Sequence, residues 1–227
     1  MIISKTPFRV SLFGGGTDYP SWYRQNGGSV IAAAIDKYCH ISCRHLPPFF
    51  DHKHRIVYSK VESVKKIEEI QHPSVRAVLT TLGISAGLEI HHDGDLPARS
   101  GIGSSSSFTV GLINVINALK GQQTSKEDLA KRAIFIEQEV LKENVGSQDQ
   151  ILAAFGGFNR IDFNPDDSFN IAPVIINKEL TTQLQDHMLI FFTGLSRFSS
   201  DIAKDKIENF KNHYRELTQI KEIVDEA

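Results

Sequence analysis

Neither sign of charge dominates this chain. Its 25 lysines and arginines stand against 27 aspartates and glutamates, scattered through 227 residues for a formal charge of −2. The basic face that nucleic acid or an anionic membrane would need is missing. So are long apolar runs: no stretch approaches the roughly 20 residues that cross a bilayer. The start, Met1-Ile2-Ile3-Ser4-Lys5-Thr6-Pro7, lacks the apolar core and small-residue cleavage site of a secretory signal. The expectation is a cytoplasmic protein that meets neither nucleic acid nor membrane. Cysteine is scarce as well, with Cys39 and Cys43 the only two. They fall in an alternating segment, Lys37 to His45, where period two puts both thiols and Ile41 on one strand face, with His40 and Arg44 opposite. Their spacing, without a second ligand pair, does not support a metal site, so they read as reduced core residues.

What is present is a mixture of strand and helix patterns. Strands are predicted over Ile2 to Phe13, Ser29 to Ile35, Lys37 to His45, Arg55 to Ser59, Leu88 to His92, Gly157 to Phe163, Phe169 to Ile176 and Met188 to Thr193. Helices are predicted over Ser74 to Leu82, Ser104 to Leu119, Lys126 to Glu143, Gln148 to Ala154 and Ser200 to Val224. Thr124-Ser125-Lys126-Glu127 has capping-box spacing ahead of the third helix. The order is strand-rich at first and lacks strict βαβ alternation, which points to an α+β fold. The last helix carries an apolar stripe, Ile207, Phe210, Tyr214, Leu217, Ile220 and Val224, that requires a partner and suits self-association into a homo-oligomer.

Three segments carry chemistry. In the first, Asp95 to Ser107, Gly101 and Gly103 flank Ile102 and four serines follow where a helix begins. Glycines let the backbone approach a ligand, and the amides of a helix start, at the positive end of its dipole, suit an anion. The run also fits a plain Gly/Ser connector with a serine cap. In the second, a strand carrying Arg9 runs into Gly14-Gly15-Gly16-Thr17-Asp18-Tyr19. Asp18 is a short acceptor for hydroxyls or a turn cap, and Arg9 suits phosphoryl oxygens or a carboxylate. In the third, an amphipathic helix bearing Glu137, Glu139 and Glu143 leads to Gly146-Ser147-Gln148-Asp149-Gln150, which sets Asp149 in the first turn of a new helix. Asp149 is there either a reactive carboxylate or a favourable charge at a helix start.

Taken in order, the three segments resemble the GHMP kinases, the superfamily of galactokinase, homoserine kinase, mevalonate kinase and phosphomevalonate kinase. The resemblance spans about residues 1 to 200. It is strongest toward members that phosphorylate the anomeric hydroxyl of a seven-carbon sugar 7-phosphate with ATP and Mg2+. It implies a GHMP kinase N-terminal domain over residues 1–180 and the beginning of a truncated C-terminal domain over 181–227. Pro97, Arg99, Gly101, Ile102, Gly103, Ser104, Ser105 and Ser106 would then wrap the nucleotide. Ser105 and Glu137 would hold magnesium, with Glu139 as the fallback because Glu137 to Asp149 is one residue longer than in some relatives. Asp149 and Arg9 would be catalytic, although Phe8 stands where many relatives have glycine. Gly15, Gly16, Thr17, Asp18 and Tyr19 would meet the sugar, and Arg197 or Arg99 its phosphate.

The resemblance also implies a third, glycine-rich motif that nothing after Gly194 matches. Two alternatives accompany the sugar-kinase reading: a non-catalytic nucleotide- or sugar-binding relative, and a galactose- or fucose-type kinase. A serine hydrolase is suggested only by Gly83-Ile84-Ser85-Ala86-Gly87, whose predicted context, helix before and strand after, is the reverse of a nucleophile elbow.

Overall fold

A computed structural model describes residues 1–98, 100–191 and 213–227. Arg99 and Arg197 lie outside the described residues. Along the chain come β1 (Ile2–Phe13), α1 (Pro20–Asn26), β2 (Gly28–His45), β3 (His54–Val57), β4 (Val61–Val64), α2 (Pro73–Thr81), β5 (Leu88–Gly94) and α3 (Ser104–Leu119). Then follow α4 (Lys126–Phe135), a π-helical turn (Ile136–Val140), α5 (Gln148–Phe155), β6 (Phe158–Phe163), β7 (Phe169–Pro173), α6 (Lys178–Asp186) and a C-terminal helix (Tyr214–Glu226). The architecture is the expected α+β.

The seven strands form one sheet in the order β4-β3-β5-β2-β6-β7, with β1 also paired to β2. β2 is its spine. Residues Gly28 to Ala33 pair with β6, residues Cys39 to His45 pair with β5, and β1 runs antiparallel beside nearly all of it. The two strands predicted at Ser29–Ile35 and Lys37–His45 are therefore one. Ile35, Asp36 and Lys37 fall at a register shift between the Arg9–Ala34 and Pro7–Tyr38 pairs, and the strand continues across it.

Ser4, Thr6 and Phe8 of β1 and Cys39, Ile41 and Cys43 of β2 are buried, with α3 packed across both strands. The central part of α3 is buried on nearly every side, as a helix apolar all round must be. Complete burial of a side chain such as Leu112, Ile113 or Ile116 contributes about 1.5–3 kcal/mol. Both cysteines are unpaired core residues, and burial pushes each thiol up to about 12.

Several boundaries differ from expectation. The cap of α4 is Ser125, which accepts from the Asp128 amide at 3.0 Å, while Thr124 accepts from Asn117 at 2.9 Å. The helix predicted over Lys126–Glu143 ends at Phe135 and continues only as the π turn. Residues 188–191 form no strand. In the C-terminal helix, Leu217 and Val224 of the predicted stripe are buried within the chain. They approach Gly16 and Gly14, Tyr214 meets Trp22 at 5.3 Å between ring centroids, and Lys221 Nζ donates to Asn26 O at 2.7 Å.

Candidate functional site

β1, α3 and α5 converge at one point. Arg9, on β1, donates from Nε to Asp149 Oδ1 at 2.6 Å and from Nη2 to Asp149 Oδ2 at 2.8 Å. Its Nη1 donates to Gly101 O at 2.9 Å, and its backbone N–H donates to Ile102 O at 3.0 Å. One arginine thus ties the first turn of α5 to the glycine loop ahead of α3. Burial opposes its charge, but the charge and hydrogen bonds of Asp149 outweigh this and raise the Arg9 pKa.

The loop is shaped for close approach. Ser100 Oγ donates to Pro97 O at 2.7 Å, and Gly103 is left-handed at φ 74° as the residue before α3. A Cβ on Gly103 would lie 3.2 Å from Arg9 Cγ and 3.3 Å from Asp149 Oδ2. Glycine is required there twice over, by backbone and by space.

The serines divide by direction. Ser105 is exposed. Ser106 is buried and donates to Glu137 Oε2 at 2.8 Å, and Ser107 donates to Pro7 O at 2.7 Å, pinning α3 to β1. Of the three serines assigned to nucleotide or magnesium, Ser104, Ser105 and Ser106, it is Ser106 whose hydroxyl bonds to Glu137.

Glu137 is fully buried inside the π turn, whose Leu141 amide bonds to Ile136 O at 2.8 Å across five residues. Such a turn holds one residue more than an α turn. Glu137 Oε2 accepts from Ser106 and from Gln150 Nε2 at 2.5 Å, while Oε1 has no hydrogen-bond partner among the described residues. Burial pushes this carboxyl up to about 7, against the Ser106 and Gln150 donors that favour its ionised form. Glu139 is half-exposed and pairs with Lys142 at 3.0 Å, so the buried carboxylate is Glu137.

The Gly14–Tyr19 loop supports the same helix from below. Asp18, only 1% exposed, accepts from Gly16 N at 3.0 Å and from Gln148 N at 3.4 Å, and its carbonyl accepts from Ser147 N at 2.9 Å. The Ser147 side chain makes no cap bond, so Asp18 serves as a cap of α5 from a distant part of the chain. Gly146 is needed because any Cβ there would overlap the Asp18 carboxylate. Burial, then the charge of Asp149, raises the Asp18 pKa. Thr17 is buried, with its hydroxyl accepting from Ser29 N at 3.0 Å and facing Gly14 O. Gly15 is exposed, and Gly16 and Tyr19 are half-buried. Burial and the nearby Asp18 and Asp149 push the Tyr19 hydroxyl up to about 12.

Among the described residues no three His, Cys, Asp or Glu cluster as a metal cage. A magnesium ion held by one carboxylate, hydroxyls, phosphates and water needs no such cage, and the unpartnered Glu137 oxygen is a hard ligand suited to it. Sequence reasoning passed over Gln150, though it stood inside the quoted motif: neighbouring helix positions point about 100° apart, so Asp149 and Gln150 serve different partners. Ser85, from the hydrolase pattern, is exposed between α2 and β5.

Residues 66–157 match the family model described as the GHMP kinases N terminal domain. It is similar to D-glycero-alpha-D-manno-heptose 7-phosphate kinase of Campylobacter jejuni, with 29% identity over 90% of this chain and 63% of that protein. It is also similar to galactokinase of Pyrococcus furiosus, with 30% identity over 90% of this chain and 57% of that one. The chain thus spans less than two thirds of these relatives. Among solved structures it superposes on a D-glycero-D-manno-heptose 1-phosphate kinase from Bacteroides thetaiotaomicron at TM-score 0.77, with 21% identity over 97% of this chain and 74% of that one. Streptococcus pneumoniae phosphomevalonate kinase in complex with phosphomevalonate and AMPPNP gives 0.61, with 13% identity over 97% and 78%. The fold is that of the GHMP kinases.

Proposed function

We propose, on the premise that the chain carries a GHMP kinase N-terminal domain, that it is an ATP-dependent sugar kinase acting on the anomeric hydroxyl of a heptose 7-phosphate. The observation that carries this is the meeting of Arg9 and Asp149 with the Gly101–Gly103 loop at the start of α3. Similarity to a heptose 7-phosphate kinase favours the seven-carbon sugar, while similarity to galactokinase keeps a galactose-type substrate in the test.

In this reading the loop and the first turn of α3 receive the ATP phosphates. Bound magnesium neutralises phosphate charge, with Ser105 and Glu137 as the residues to hold it. Asp149, fixed by Arg9, accepts a hydrogen bond from the sugar hydroxyl. The hydroxyl oxygen bonds to the γ-phosphorus as the bond to ADP breaks, and its proton passes to Asp149 or to water. Arg9 steadies both the carboxylate and the transferred group, since positioning and charge dominate such reactions. Asp18 acts chiefly by capping α5, and the protein works in the cytoplasm on small molecules.

ADP release in the presence of ATP, magnesium and, separately, heptose 7-phosphate, galactose and fucose tests the proposal. Turnover with the heptose alone is expected, and turnover with galactose or fucose alone would replace the substrate assignment. A second reading is a nucleotide- or sugar-binding relative without turnover. Calorimetric binding of ATP with no ADP release from any sugar would establish it.

A further inference from the structure

We infer that Gln150 is a positioning residue that sets the orientation of Glu137, leaving one carboxylate oxygen free for the metal; this rests on the kinase reading above. Gln150 is fully buried, as are the apolar Ile151 and Leu152 that follow it on α5, yet it is not an apolar side chain. Instead it spends its amide on one bond, Nε2 to Glu137 Oε2 at 2.5 Å, while its own Oε1 has no partner among the described residues. An unsatisfied buried acceptor costs about 1–3 kcal/mol, so the bond it accompanies has to matter.

Ser106, on α3, donates to the same Oε2 at 2.8 Å. Two donors on one oxygen fix the plane of the carboxylate, and Oε1 is left unpartnered. A ligating carboxylate oriented by hydrogen bonds to its other oxygen is a recurrent second layer of metal sites, and removing such a partner weakens metal binding by about 10–100-fold. Because Asp149 and Gln150 are consecutive on α5, one helical turn aims the first at Arg9 and the second at Glu137. The same turn that presents the sugar-facing carboxylate therefore also sets the one for magnesium.

Calorimetry with the full chain and the non-hydrolysable analogue AMPPNP tests this, comparing its affinity with and without magnesium. That ratio reads the metal ligand and is insensitive to a general loosening of the fold. Gln150→Leu is expected to lower the ratio about tenfold or more. Glu137→Gln should lower it too, and the double variant should fall no lower than Glu137→Gln alone, because Gln150 acts through Glu137. An unchanged ratio in Gln150→Leu, or losses that multiply in the double variant, overturns the inference and leaves the kinase reading standing. Failure of the unaltered chain to bind AMPPNP overturns the kinase reading and this inference with it. If Gln150→Leu does not fold, Ser106→Ala removes the other donor to Oε2: a lowered ratio supports the inference and an unchanged one overturns it.

Discussion

Arg9 and Asp149, 140 residues apart in sequence, are joined by two parallel hydrogen bonds in which the guanidinium fork meets both carboxylate oxygens. The pair is partly shielded, at 14% and 24% side-chain exposure. A lysine could keep the charge at position 9 but not the fork. Arg9→Lys is expected to lower kcat at least tenfold with little loss of stability. Arg9→Ala, which strands the carboxylate, should also destabilise the fold by about 2 kcal/mol in urea titration, below the 3–5 of fully buried pairs.

Gly101 and Gly103 provide a controlled comparison. Both are left-handed, at φ 77° and 74°, but a Cβ on Gly101 meets nothing within 4 Å, whereas one on Gly103 presses on Arg9 and Asp149. Alanine at either position should cost about 1–2 kcal/mol in backbone strain. Only Gly103→Ala should also displace the Arg9–Asp149 pair, so steady-state assays are expected to show a much larger fall in kcat for it than for Gly101→Ala.

Asp18 should behave as a cap more than as a sugar ligand. Asp18→Asn keeps an acceptor for the Gln148 and Gly16 amides and is expected to fold nearly as well as the parent. Asp18→Ala leaves those buried donors unsatisfied and should cost about 1–3 kcal/mol in thermal or urea unfolding. A rise in sugar KM with unchanged stability in Asp18→Ala would assign the residue to substrate instead.

Away from the site, Glu89 makes stability depend on acid. Hydrogen bonds from His91, then Arg44 and Arg55, hold its carboxyl down at about 2, against the usual 4.5. Its contribution is therefore present above pH 4.5 and is lost as the pH falls from 4.5 toward 2. Urea midpoints at pH 7 and pH 3 should fall more in the parent than in Glu89→Gln.

The C-terminal helix has its own reporter. Trp22 is the chain's single tryptophan, 3% exposed, and lies against Tyr214. Leu217→Ala and Val224→Ala should each cost about 2–4 kcal/mol and shift the Trp22 emission to the red before the rest of the fold is lost.

β1 and α3 were legible to the residue, Ile2–Phe13 and Ser104–Leu119, because a long strand pattern and a fully apolar helix leave no competing reading. The short α1 was missed: its signal is Pro20 at the start and two buried aromatics, Trp22 and Tyr23, too few to show a period. α6 was missed too: its apolar face is the single pair Leu180 and Leu184, and it buries no side chain. The site residues could be named from the motifs, but the partners of Glu137 could not. Which serine meets it depends on the rotation of α3, and the π turn that brings it inward is set by tertiary packing.

The central claim is that the Arg9–Asp149 pair, at the loop ahead of α3, directs a phosphoryl group from ATP to a sugar oxygen. Phosphorus NMR of the full chain with ATP, magnesium and heptose 7-phosphate follows that transfer directly. The account predicts a sugar 1-phosphate signal growing as the γ-phosphate signal fades, and a rate at least 100-fold lower in Asp149→Asn. Equal rates in the parent and Asp149→Asn would contradict it.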